Sequence, residues 1–190
     1  IAQCLVGSEM CIRDRLNTML NTGIYYTGLT EAAKEMIGDA KWYLGGTANY
    51  TSSSNGLASH FYKYERGTTV YSGRSTNWTG KVGLIYPSDY GYATSGNSST
   101  TRATCLVKEL YNWDGASACY QNDWLSKSSD MWSLSPNSSY GSYVFAVDSS
   151  GFVDYRYANR TLGVWPVVYL KSTIKVTTGT GSSNSPFILE

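Results

Sequence analysis

The segment from Tyr143 to Tyr157 constrains the fold more than any other part of the chain. Tyr143 to Val147 is an unbroken apolar run of strand length. Asp148-Ser149-Ser150-Gly151 follows as a turn, and Phe152 to Tyr157 returns as the hairpin partner. Whatever else the chain does, it has to house this strand pair and cover its apolar face.

The remaining elements are shorter. Leu16 to Gly23 is a helical candidate with Leu16, Met19 and Leu20 on one face. Leu29 to Ile37 is a better one: Thr30 can cap it, Leu29, Ala32, Ala33, Met36 and Ile37 recur at helical spacing, and Gly38 stops it. Lys41 to Leu44 reads as a short strand and Ala48 to Ser59 as a polar surface loop. Phe61 to Glu65 and Thr68 to Tyr71 read as strands around the turn pair Arg66-Gly67. Lys81 to Tyr86 is the most apolar central run and predicts a buried strand. Pro87 ends it, and Ser88 is expected to cap a helix through Thr94. Ser95 to Arg102 is a low-complexity loop. Met131 to Leu134 is short and apolar, and Gly163 to Leu170 predicts another buried strand with Pro166 at an edge or bulge. Ile174 to Thr177 and Phe187 to Leu189 flank Gly179-Thr180-Gly181 as a terminal hairpin. No repeat of solenoid period is present.

A chain of 190 residues is one domain by default and can bury a real core. Lys+Arg (15) nearly balance Asp+Glu (14), so no basic face points to nucleic acid. No apolar run approaches the ~20 residues of a membrane span. Charged residues are only 15%, yet there are 17 Tyr and 6 Trp among abundant Gly, Ser, Thr and Asn. That mixture excludes disorder. It fits an extracellular β-rich domain, and it also matches binding surfaces, where Tyr offers contact area at low entropic cost.

Residues 4–15, Cys-Leu-Val-Gly-Ser-Glu-Met-Cys-Ile-Arg-Asp-Arg, resemble the conceptual translation of a transposase-type sequencing-library adapter. They carry no turn signal, no clean period and two of the four cysteines. Residues 1–15 are therefore expected to be an artefact, and 16–190 a single domain lacking its native upstream part, with any signal peptide or anchor that part held. Setting the segment aside removes Glu9, Arg13, Asp14 and Arg15, so the net charge stays at +1.

Leu16-Asn17, Lys81-Val82-Gly83-Leu84-Ile85, Trp132-Ser133-Leu134-Ser135-Pro136 and Gly163-Val164-Trp165-Pro166-Val167 occur in this order. Together they resemble an uncharacterised bacterial surface-protein domain family. Its members open on Leu-Asn before a short helix and end in Trp-x-x-Ser-Pro and Gly-Val-Arg-Pro-Ala. The likeness spans Leu16 to Leu170, and the ending also resembles C-type-lectin-like folds, including relatives of formylglycine-generating enzymes. The resemblance implies an α+β, C-type-lectin-like fold: a small twisted antiparallel sheet, two or three short helices and long loops that carry function. Trp165 stands where the family has Arg, so no role of that Arg transfers.

Cys105 and Cys119 flank residues 106–118. A structural disulfide closing that loop is the expected pairing, fitting a secreted composition. The alternative is a catalytic dithiol of the formylglycine-generating type, with Lys108 the cation close in sequence. His60 is the only histidine and lies beside a polar loop, so a His-centred triad rests on it alone. No His/Cys set has zinc spacing, no Gly-rich turn presents a phosphate-binding Lys, and no cofactor or metal is implied. Asp114, Asn122 and Asp123 are oxygen-bearing residues near the cysteines, but their order does not match the lectin calcium motif. They are expected to cap turns, with Trp113 and Trp124 in the core.

The segment Asp154-Tyr155-Arg156-Tyr157-Ala158-Asn159-Arg160-Thr161 is rich in residue types that dominate binding surfaces. Tyr stacks on sugars, Arg forks onto carboxylates, and Asn supplies directed hydrogen bonds. The sequence therefore predicts a non-catalytic extracellular or cell-surface recognition domain. It would bind a glycan or protein ligand through Asp154, Tyr155, Arg156, Tyr157, Asn159 and Arg160, with Trp113 and Asp114 contributing from a neighbouring loop. Two other readings stand beside it: a formylglycine-generating-type enzyme using Cys105 or Cys119, and the structural head of a pilin-like or adhesin protein.

Overall fold

A computed structural model describes residues 17–126, 128–182 and 184–190. The proposed adapter segment and Leu16 lie outside the described residues. The described residues form an α+β assembly of short helices and four small antiparallel sheets. A π-helical turn, Thr18–Thr22, buries Leu20 and leads into α1, Ile24–Thr27. Helix α2, Glu31–Met36, starts where the sequence places it, with the Thr30 hydroxyl accepting from the Ala33 amide at 3.2 Å.

Strand β1, Ala40–Tyr43, pairs with β2, Asn77–Gly80, and sets Trp42 opposite Trp78. Between them lies α3, Ala58–Glu65. This helix corrects the expected strand over Phe61 to Glu65, and no strand forms over Thr68 to Tyr71. Ala58, Phe61 and Glu65 fall on one buried face at helical spacing, and burial of that face overrides the strand propensity of the aromatics.

Strand β3, Val82–Leu84, is fully buried. Gly83 is required there: a Cβ would sit 2.6 Å from the Trp42 ring. Helix α4, Pro87–Ala93, follows with Pro at its first turn. Its start is not capped by Ser88 as expected. Tyr86 is the N-cap residue and its amide donates to the Asp89 carboxylate at 3.0 Å, while the Ser88 hydroxyl turns inward to Glu65.

Helix α5, Arg102–Leu106, a 3-10 turn, Leu110–Gly115, and helix α6, Ser117–Tyr120, complete the helical half. The bonded pair Cys105–Cys119 ties α5 to α6 with a Cα–Cα distance of 5.6 Å, and both residues are buried. The Thr94 hydroxyl donates to the Cys119 carbonyl at 2.7 Å, fastening this unit to the end of α4. The cross-link closes a loop of about 15 residues, which in the chain-entropy account contributes about 3 kcal/mol. A Cys105→Ala/Cys119→Ala variant is expected to lose about that much in urea unfolding. A loss under about 1 kcal/mol would show that the loop is ordered without its bridge.

Strands β4, Met131–Pro136, β5, Tyr143–Val147, and β6, Val153–Tyr157, form the central antiparallel sheet. Two apolar clusters cover its two sides. Met131, Phe145, Val147 and Val153 face one with Phe61, Tyr90 and Trp113, whereas Trp132, Val144 and Ala146 face the other with Leu20, Val82 and Leu84. The β5–β6 hairpin turns as its sequence predicts: the Gly151 amide donates to the Asp148 carbonyl at 2.8 Å, and Gly151 takes a positive φ of 93°.

Strand β7, Pro166–Val168, pairs with β3, with Pro166 on an edge strand. The run from Gly163 to Leu170 is half-buried or exposed rather than buried: Val164 and Val168 cover the rim of the second cluster, and Trp165 and Val167 that of the first. Strands β8, Val176–Thr178, and β9, Ile188–Leu189, make the expected terminal hairpin. No helix among the described residues is long and apolar enough to cross a membrane.

Candidate functional site: the aromatic face of the central hairpin

The side chains of a strand alternate between its two faces, and that rule divides the segment the sequence singles out. Tyr155 and Tyr157 stand on the side of Val153, opposite Phe145 and Tyr143 across the ladder. Asp154 and Arg156 stand on the other side, opposite Ala146 and Val144. The strand part of the stretch, residues 154–157, therefore divides between two faces of the sheet.

The aromatic side is a connected row of rings. Tyr140 meets Tyr143 edge-on at 5.8 Å between centroids, and Tyr143 meets Tyr157 at 4.4 Å and Tyr155 at 4.6 Å. Tyr155 meets Tyr50 at 5.7 Å, which in turn meets Tyr111 at 5.7 Å, and Tyr111 reaches Phe152 at 6.2 Å. Such edge and tilted contacts are the preferred geometry of aromatic pairs. The row is buried in the middle and open at its ends: Tyr157 is 51% and Tyr140 58% exposed. The neighbouring Tyr157 hydroxyl, and then burial, push the Tyr143 phenol up to about 12.

The polar side is satisfied internally and by one hydroxyl of the aromatic row. Arg156 donates through one terminal nitrogen to Asp154 at 2.8 Å and through the other to Asp148 at 2.9 Å, and its side chain is only 17% exposed. Burial opposes its charge, but the two carboxylates outweigh it and raise the guanidinium further. Asp154 also accepts the Tyr50 hydroxyl and its neighbour's amide, from Tyr155 at 2.8 Å. Burial, and then this bond to Asp154, push the Tyr50 phenol well above its ordinary value. Arg156 thus fixes the hairpin from behind, and its fork is already filled. The expectation that Asp154 and Arg156 present themselves to a ligand is revised accordingly.

Asn159 and Arg160 are exposed in the turn after β6, closed by the Arg160 amide donating to the Tyr157 carbonyl at 3.0 Å. Trp113 cannot contribute from a neighbouring loop: it is 0% exposed and packs on Tyr90. Asp114, beside it, is exposed in the 3-10 turn that also carries Tyr111. Trp124 reverses the other expectation and stands outside the core, 71% exposed.

Elsewhere, the His60 ring accepts from the Leu57 amide at 3.3 Å, the local bond of a helix start. Of the turn-capping trio, Asp114 accepts the Gly115 amide, Asn122 donates to the Ala118 carbonyl, and Asp123 accepts the Leu125 amide, as the sequence reading expects. The sequence does not single out Tyr50, Tyr140 or Tyr143, which the structure brings into the row. Tyr143 is legible in principle, because a hairpin register closed at Asp148 to Gly151 sets it opposite Tyr157. No family model, curated protein or solved structure matches this chain.

Proposed function

We propose that the domain is a non-catalytic recognition module that grips a glycan or a protein ligand with the open end of its tyrosine row. The observation that carries this reading is the Tyr140–Tyr143–Tyr157 cluster of edge-on and tilted rings, half exposed at its rim and seated on a sheet with apolar clusters on both sides. Rings held in place by other rings lose little freedom when a ligand covers them, so contact energy is not consumed in ordering the surface. Tyr155 supports the row from beneath, Asn159 and Arg160 stand at its rim, and Asp154 and Arg156 brace it from behind.

The C-type-lectin-like architecture and the kinship with the bacterial surface domain belong to the same proposal. Small antiparallel sheets, short helices and long loops support them. The cysteine cross-link supports an extracellular or cell-surface setting. A dithiol enzyme would need an accessible sulfur, and both cysteines here are bonded and enclosed. A role as a structural pilin or adhesin head makes no use of the exposed rings.

The test is a glycan array and a pull-down with the intact chain and a Tyr140→Ala/Tyr157→Ala variant. Both residues are exposed, so the variant is expected to keep its fold by circular dichroism and to bind at least about tenfold more weakly. Unaltered binding by a folded double variant would remove the ring face from any role in recognition.

A further inference from the structure

Three arginines border the tyrosine row, and the fold treats them differently: Arg74 donates to the Gly141 carbonyl of the Tyr140–Tyr143 loop at 3.0 Å. Arg156 lies behind the sheet with both terminal nitrogens on carboxylates. Arg160 is exposed, and no carboxylate among the described residues pairs with it. Its turn is pinned to the Tyr140–Tyr143 loop, because the Ala158 amide donates to the Ser142 carbonyl at 2.9 Å and Ala158 is buried. Tyr140, Tyr157, the Asn159 amide and the Arg160 guanidinium therefore emerge from one corner of the molecule. Asp148 and Asp154 share the one guanidinium of Arg156 behind the sheet, so Arg160 is left as a guanidinium without a carboxylate partner among the described residues, beside the exposed rings.

We propose that the ligand taken at this corner is an acidic saccharide, whose sugar ring lies on Tyr157 and Tyr140 while its carboxylate is received by Arg160. The proposal rests on the ring face being a recognition surface, and it goes further by naming the ligand class. A pyranose presents an apolar C–H face to an aromatic ring, and a uronate holds its carboxylate at the ring edge, where a planar guanidinium can engage it with two parallel hydrogen bonds. An exposed pair of this kind is weak and screened by salt, so the expected preference is about twofold to fivefold.

The probes are polygalacturonate and its methyl-esterified form, which share a backbone and differ in charge. Calorimetric titration would use the full chain, Arg160→Gln and Tyr157→Ala. The wild type is expected to bind the free acid about twofold to fivefold tighter than the ester at low salt. In Arg160→Gln that preference disappears while ester binding persists, and Tyr157→Ala weakens both. Equal affinity of the wild type for the two polymers overturns the proposal, as does a preference that survives Arg160→Gln. If neither polymer binds but the array yields a neutral ligand sensitive to Tyr157→Ala, the acidic class is wrong and the recognition reading stands. If nothing binds through Tyr157, both fall together.

Discussion

Replacing Phe145 by alanine is expected to lower the unfolding free energy by about 4 kcal/mol, the typical cost of emptying a fully buried aromatic site. Phe145 has 0% exposure at the middle of β5. Tyr50 and Phe61 meet it edge-on at 5.0 and 5.2 Å, and Tyr155 reaches it at 6.4 Å. Strand and helix neighbours from both sides bound the site, so little collapse is available to fill the void. For a domain of this size the melting temperature is expected to fall by roughly 8–16 °C. Tyr50 and Tyr155 lean on Phe145, so the aromatic row should loosen with it. Phe145→Leu keeps most of the volume and is expected to lose well under half as much stability. Calorimetric melts of both variants decide the matter: a loss below about 1.5 kcal/mol for alanine would mean that the hairpin is not the centre of the core.

The hairpin was readable because its signals agree. An apolar run, a turn with Gly where φ is positive, and a returning strand all point to one register. Helix α2 was readable for the same reason, with Thr30 at its start and apolar residues at helical spacing. The failures have local causes. Phe61 to Glu65 looked like a strand because it is rich in aromatics, although the Ala58, Phe61, Glu65 spacing already described a helical face. Strand β2 is polar and short, and only its pairing with β1 makes it a strand. Helices α5 and α6 are a turn or so long and are held by the Cys105–Cys119 link rather than by propensity. At the site, Tyr155, Tyr157, Asn159 and Arg160 were legible as one segment, and strand alternation would have separated Asp154 and Arg156 from the two tyrosines. Tyr50 was not legible, since it reaches Asp154 across a sequence separation of 104 residues.

Stability is expected to fall as the solution is taken from about pH 5 to pH 8, the reverse of ordinary acid sensitivity, because two buried carboxyls hold their protons too tightly. Glu65 is 0% exposed on α3 and accepts the Ser88 amide at 2.9 Å at the start of α4. Burial pushes it up to about 7 against the lowering effect of the Ser88 hydrogen bonds, the Asp89 carboxylate adds to the rise, and Arg66, at 3.1 Å, offsets part of it. Asp123 is 5% exposed just past α6, bridged to Thr94 at the far end of α4. One of its oxygens accepts the Leu125 amide at 2.8 Å and the other has no partner, so burial drives it up to about 7 as well. In the unfolded chain these groups have ordinary values of 4.5 and 3.8. Over the window between those values and about 7 the folded state binds more protons than the unfolded one. The stabilisation is therefore complete below the unfolded values and is lost as pH rises through the folded ones. Each group accounts for on the order of 3 kcal/mol across that window. Both sit at the ends of α4, whose Tyr90 hydroxyl donates to the Gly151 carbonyl at 2.7 Å, so the loss should be felt at the turn of the hairpin. Urea midpoints measured from pH 5 to pH 8 are expected to decline in the wild type and to flatten in Glu65→Gln/Asp123→Asn. A wild-type profile that rises over this range, or a double variant that keeps the full slope, would mean that these two carboxyls are already ionised in the folded protein near neutrality.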